Sequence, residues 1–290
     1  QDHYSIMMEN NNRYLEACAA GERAGLYYTC INSFLTADEL AYILDNSESQ
    51  ILITSMSKLE VAIDAVSQSS KVRKVLVVDA DANELPDGFE DYATTCQSFP
   101  ATPIDNERLG TSMLYSSGTT GRPKGIIRPL PEQPPADALP MYDFLGQLWH
   151  YREDMIYLSP APLYHSAPQA AVNLTIRQGG TVIIMERFDP EAYLSLIEQY
   201  SVSHSQLVPT MFSRMLKLPE AVRKSYDLSS LEIAVHAAAP CPVMVKQQMI
   251  EWWGPIIHEY YGATEGLGFS ACDTQEWLAH PGTVGKNVLG

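Results

Sequence analysis

The chain has 290 residues, 46% of them hydrophobic and 19% charged, with a formal net charge of -16. That size suits one large domain or two lobes, each able to bury its own core. The negative excess excludes the basic footprint of a nucleic-acid binder and gives no hold on an anionic membrane surface, so any polyanionic ligand needs a local positive or amide-rich pocket.

The longest apolar runs, such as Thr181–Met185, are far too short to span a bilayer. The five cysteines, Cys18, Cys30, Cys96, Cys241 and Cys272, lack metal or redox spacing and read as scattered thiols of a reducing cytoplasm. Gln1–Ser5 is neither a signal peptide nor an initiator methionine, and Val288-Leu289-Gly290 ends without a helix or polar tail. Both ends read as truncations.

Asn12–Ala24 reads as a helix. Thr36 and Glu39 stand at the capping-box positions of a second, which ends near Ser47. Ile51–Thr54 is a short apolar strand, Ser57–Gln68 a helix and Val75–Val78 a buried strand. This alternation predicts parallel sheet covered by helices, an α/β fold. Arg128–Pro140 holds five prolines and reads as a surface loop. A second series follows: strand Thr181–Met185, a helix opened by Asp189 and Pro190, strand Gln206–Val208, helix Met211–Lys217, strand Leu231–His236, helix Pro242–Trp253 and strand Ile256–Glu259. The expected organisation is a first lobe over 1–150, a second over 151–269, and the start of a further part over 270–290.

The segment Tyr115–Gly125 carries the most chemistry. Its three glycines, Gly118, Gly121 and Gly125, let backbone approach a ligand closely. Ser116, Ser117, Thr119 and Thr120 offer hydroxyls to phosphate oxygens, and Lys124 adds a positive charge. A Walker loop needs glycine where Pro123 stands, and no Gly-x-Gly-x-x-Gly occurs here. Ser116–Gly125 resembles the phosphate loop of the adenylate-forming superfamily, closest in appearance to bacterial fatty-acid and acyl-CoA synthetases. Nearly the whole chain follows that resemblance. It implies the family's large domain as two sheet-and-helix lobes, without the small C-terminal domain.

Four further segments extend the likeness. Tyr260-Tyr261-Gly262-Ala263-Thr264-Glu265 is similar to the second family signature. By that resemblance Tyr261 packs on adenine, Thr264 contacts the α-phosphate and Glu265 helps hold Mg²⁺. His236-Ala237-Ala238-Ala239-Pro240 resembles the segment lining the adenine and acyl pockets. Pro160–Ala167 resembles the one that sets a gate at the pocket mouth, here His165. Pro281–Lys286 resembles the opening of a barrel-like part. The acyl pocket is then expected from His165, Ala167, Val208, Met211, Ala237, Ala238, Gly266, Leu267 and Gly268, whose small or apolar side chains suit a fatty or aromatic acid.

The resemblance implies that a carboxylic acid attacks the α-phosphate of MgATP, giving acyl-AMP, and that coenzyme A then takes the acyl group. Catalytic roles fall on Lys124, His165, Thr264 and Glu265. The residues leave two alternatives open: transfer to a carrier protein, and a nucleotide-binding fragment without catalysis. The family's ribose-binding aspartate, hinge and C-terminal lysine lie outside this chain, so the chain alone is expected to turn over poorly.

Overall fold

The computed structural model describes residues 2–81, 85–116, 122–263 and 268–289. It forms two compact units, one of Gln1–Ala138 with Leu163–Ser166, the other of Leu139–Pro162 with Ala167–Gly290.

In the first unit the elements follow in chain order as β1 (His3–Met7), α1 (Asn12–Ala24), β2 (Tyr27–Cys30), α2 (Ala37–Asn46), β3 (Ser49–Ser55), α3 (Leu59–Gln68), β4 (Lys74–Val78), β5 (Phe89–Asp91), α4 (Tyr92–Gln97) and β6 (Thr111–Ser112), then the hairpin β7 (Leu114–Ser116) and β8 (Lys124–Ile126). Six strands make one parallel sheet in the order β5-β4-β3-β1-β2-β6.

Local chemistry sets the helix limits. The Asn11 side chain accepts from Tyr14 N at the start of α1, and Gly25 at φ 67° closes it in the left-handed conformation. Tyr14, Ala17, Cys18 and Gly21 form its buried stripe at helical spacing. The capping box at α2 forms as expected, with Glu39 accepting from Thr36 N and Thr36 Oγ1 accepting from Glu39 N. The helix expected from Ser57 opens instead with a tight 3₁₀ turn over Met56–Lys58.

The second unit contains α5 (Pro140–Leu148), β9 (Ile156–Ser159), β10 (Thr181–Ile184), α7 (Pro190–Tyr200), β11 (His204–Leu207), α8 (Pro209–Leu216), α9 (Glu220–Arg223), β12 (Ile233–His236), α10 (Val243–Trp253), β13 (Ile257–Gly262), β14 (Phe269–Cys272), α11 (Thr274–Ala279) and β15 (Lys286–Leu289). Helix α6 (Ser166–Arg177) follows β9 in sequence. The sheet order is β10-β9-β11-β12-β13-β14-β15. Its first five strands are parallel, and β14 and β15 are antiparallel. Leu158, Tyr193, Leu194, Ile197, Phe212 and Met249 are among the buried side chains of its core.

The central strands β1 and β2 escape the sequence reading. Every residue of β2 is buried, so no polar face alternates with an apolar one, and Ser5 and Thr29 interrupt what would be apolar runs. The proline-rich loop stays free of regular structure through Leu139, and Pro140 opens α5 at its first turn.

Candidate functional site

Parallel α/β sheets bind ligands beyond the carboxyl ends of their strands, at the crevice where strand order reverses. In the second unit the chain passes from β9 outward to β10 and then returns to β11 on the other side of β9. The crevice therefore lies beside the ends of β9 and β11. Leu207 pairs with His236, and His236 with Glu259, so the next residues, Val208, Ala237 and Tyr260, emerge at one edge.

The segment after β12 is shaped for access. Ala237 is buried, whereas Ala238, Ala239 and Pro240 are exposed. Ala238 sits at φ 72°, a left-handed conformation that costs an alanine about 1–2 kcal/mol. The turn thereby presents small side chains and backbone at the sheet edge.

The two neighbouring tyrosines face opposite ways, as strand geometry requires. Tyr260 points inward. Its hydroxyl accepts from Gln206 Nε2 at 2.8 Å, and its ring stacks on Phe269 with centroids 4.9 Å apart and lies 5.4 Å from Trp149. Burial pushes its phenol up to about 12. Tyr261 is 67% exposed and offers an open aromatic face. Gly262 and Ala263 beyond it are exposed. Val208 caps α8, Met211 is buried in its first turn, and Ala167 lies half-buried in α6.

In the first unit, Ser116 pairs with Lys124 across the antiparallel hairpin β7–β8. Lys124 is exposed. Both arms are tied to α2: Tyr115 Oη donates to Asn46 Oδ1 at 2.6 Å, Tyr42 Oη donates to Pro123 O at 3.2 Å, and Arg122 lies 4.8 Å from the Tyr42 ring. A Cβ at residue 125 would displace the tip of the Met113 side chain and press on the Tyr115 ring at 3.1 Å, and Gly125 leaves both in place.

His165 also belongs to this unit, where Leu163 N donates to Asn10 Oδ1 at 2.9 Å. Its ring is exposed and lies 4.5 Å from that of Tyr164; partial burial lowers its pKa while the ring stays open to solvent.

Ser117, Gly118, Thr119, Thr120 and Gly121, and likewise Thr264, Glu265, Gly266 and Leu267, lie outside the described residues. Gly268 stands just before β14. Among the described residues no group of three His, Cys, Asp or Glu side chains could hold a metal ion, and no helix is long and apolar enough to cross a membrane. The five cysteines are free thiols.

One buried cluster was missed from the sequence. Lys246 Nζ on α10 donates to Glu259 Oε2 at 2.5 Å, and His236 Nε2 lies 3.4 Å from the same oxygen. Lys246 and His236 are wholly buried and Glu259 is 5% exposed. Burial works to raise the Glu259 carboxyl, but His236 and Lys246 outweigh it and leave the carboxyl below its ordinary value. Burial also lowers the His236 pKa, against the pull of Glu259. Lys246 Nζ and His236 Nε2 thus converge on one oxygen of Glu259. A sequence signal exists: Lys246 shares the stripe of Met249, Ile250 and Trp253, spaced three, four and seven residues on, where an apolar residue is expected.

These features meet their relatives in the comparisons. The family model described as AMP-binding enzyme matches residues 1–290. The chain belongs to that family. Acyl-CoA synthetase 7 of Caenorhabditis elegans is 29% identical over 296 residues, covering 100% of this chain and 54% of that protein. Medium/long-chain-fatty-acid–CoA ligase FadD8 of Mycobacterium tuberculosis is 25% identical, covering 90% of this chain and 45% of its own length. The chain thus spans about half the length of these curated relatives. The crystal structure of the N-terminal domain of FACL13 from M. tuberculosis superposes with a TM-score of 0.81 at 22% identity, covering 99% of this chain and 69% of that one. The two-lobed α/β architecture of an adenylate-forming large domain is therefore established.

Proposed function

We propose that this AMP-binding domain serves an acyl-CoA ligase, which activates a fatty or aromatic carboxylic acid as acyl-AMP and passes the acyl group to coenzyme A. The observation that supports the reading best is the carboxyl edge of β12 and β13. There the Tyr261 ring, Gly262 and the Ala238–Pro240 turn are all exposed, an aromatic face beside small residues. Tyr261 gives adenine a stacking face, and the alanines give it walls without bulk.

The hairpin around Ser116 and Lys124 is assigned the β- and γ-phosphates. Backbone amides and hydroxyls of 117–121 would donate to the oxygens, and the Lys124 ammonium would offset their charge. Thr264 is assigned the α-phosphate and Glu265 the Mg²⁺; both assignments rest on the sequence motif. Bound Mg²⁺ would neutralise charge on the triphosphate.

In the first half-reaction a carboxylate oxygen of the acid forms a bond to the α-phosphorus, and the bond to the pyrophosphate oxygen breaks. In the second, the coenzyme A sulfur attacks the acyl carbon and AMP leaves. Such chemistry asks for positioning and charge neutralisation. Val208, Met211, Ala167, Gly266, Leu267 and Gly268 are assigned to the acyl chain and His165 to its entry.

Acid-dependent exchange of pyrophosphate into ATP tests the reading, with this domain joined to the family's hinge and small C-terminal domain and a panel of fatty, aromatic and amino acids. Exchange with a fatty or aryl acid is expected, with loss of at least about tenfold in Lys124→Ala at unchanged melting temperature, because the side chain is exposed and carries no core packing. Exchange that survives Lys124→Ala undiminished refutes the role of the hairpin.

A further inference from the structure

We infer that Lys246, Glu259 and His236 form a positioning device for the adenine side of the site, acting through the strand ends they hold. The inference rests on the function proposed above. Three polar groups that water would stabilise are buried at the last paired rung of β12 and β13, where His236 is level with Glu259. Two residues further along stand Ala238 and Tyr261, where the exposed segments begin.

Stability does not explain the pair. Burying two charges is costly, and apolar side chains of similar volume commonly hold a core as well or better. A short charge-assisted hydrogen bond is directional, which apolar packing is not. Lys246 reaches from α10, and Glu259 stands on β13, so the bond sets the height of β13 against that helix.

The neighbours restrict the cluster from every side. Lys246 Nζ lies 5.0 Å from the Trp277 ring of α11, and the His236 ring meets Phe212 of α8 edge-on at 5.4 Å. Cys272 of β14 pairs in register with Glu259, and burial pushes the Cys272 and Cys241 thiols up to about 11, so neither adds a charge at neutral pH. The ion pair is thus a directional restraint between α10 and the end of β13. That end carries Tyr261, and β12 beside it carries the strained turn at Ala238. A small shift of β13 would move the Tyr261 ring against that turn. Lys246 and Glu259 are accordingly positioning residues; neither is placed in contact with a nucleotide.

The test separates the adenine side from the phosphate side. Binding of AMP and of inorganic tripolyphosphate is measured by calorimetry on the 290-residue chain, in wild type and in the volume-conserving double variant Lys246→Met/Glu259→Met. The expected result is AMP affinity weakened tenfold or more, tripolyphosphate affinity unchanged, and a melting temperature equal to or above wild type. Unchanged AMP affinity in a folded double variant overturns the positioning role. Should the double variant not fold, Lys246→Arg decides. It keeps the charge but moves the bond, so a threefold or larger loss for AMP alone supports the role, and unchanged AMP affinity overturns it. Wild-type chain that binds tripolyphosphate but no AMP overturns the nucleotide reading itself, and the positioning role with it.

Discussion

Acidification between pH 6.5 and 4 should destabilise the second unit through His204. This side chain is 1% exposed on β11, with Nε2 3.1 Å from Trp149 O and Nδ1 2.9 Å from Ser203 Oγ. The carbonyl requires Nε2 to carry the proton, and Nδ1 faces the Ser203 hydroxyl, which also donates to Ile156 O at 3.2 Å. Burial first, and Arg152 second, push its pKa down from 6.5 to about 4. The folded state holds the ring neutral while the unfolded chain protonates it. The stabilisation is therefore complete above pH 6.5 and drains away as pH falls toward 4. Each pH unit costs about 1.4 kcal/mol at most, and the full window about 3 kcal/mol.

All four tryptophans, Trp149, Trp252, Trp253 and Trp277, lie in the second unit, so their fluorescence reports its unfolding. Urea denaturation at pH 7, 6, 5 and 4.5 should show wild type losing stability faster than His204→Gln by about 1 kcal/mol per pH unit between 6 and 5. The other histidines whose pKa values are lowered, His3, His165, His236 and His258, are common to both proteins and cancel in the difference. Parallel pH profiles for the two proteins would refute the assignment of a neutral buried imidazole.

Two further outcomes follow from packing. Tyr260→Phe keeps the ring between Trp149 and Phe269 but strands the Gln206 amide, which is 8% exposed, and should lower the stability of the second unit by about 1–2 kcal/mol in the same fluorescence assay. No loss would mean that water replaces the phenol. Gly285→Ala should cost about 2 kcal/mol or more, because residue 285 sits at φ 93° and a Cβ would collide with the Ala271 carbonyl. Faster hydrogen exchange at Ser270 and Ala271, the β15-paired residues of β14, would register it, and unchanged exchange there would refute it.

Much of the molecule was legible in its residues because the signals are local. Thr36 and Glu39 specify a helix start through hydrogen bonds within four residues of chain, and the capping box forms as read. Asp189 with Pro190 opens α7 in the same way, its carboxylate accepting from Glu191 N and Ala192 N. The two motifs were readable because their residues are contiguous in the chain, so recognising them needs no tertiary contact. The site edge was less legible. Nothing in Tyr260-Tyr261 says which ring is covered; Gln206, Trp149 and Phe269, all distant in sequence, decide that Tyr260 is the one held inside.

Composition, motif order and helix caps are thus properties the sequence carries by itself: an acidic α/β chain with a phosphate-type loop and an aromatic-Gly segment, of the AMP-binding enzyme family. The tertiary structure alone decided which polar groups lose water. Lys246 lies on an amphipathic helix where solvent is the ordinary fate of a lysine, and only the arrival of Glu259 from β13, with Trp277 closing over it, turns that ammonium into a buried partner. Burial depends on contacts between residues remote in sequence, so the energetics of the site edge were fixed by the fold.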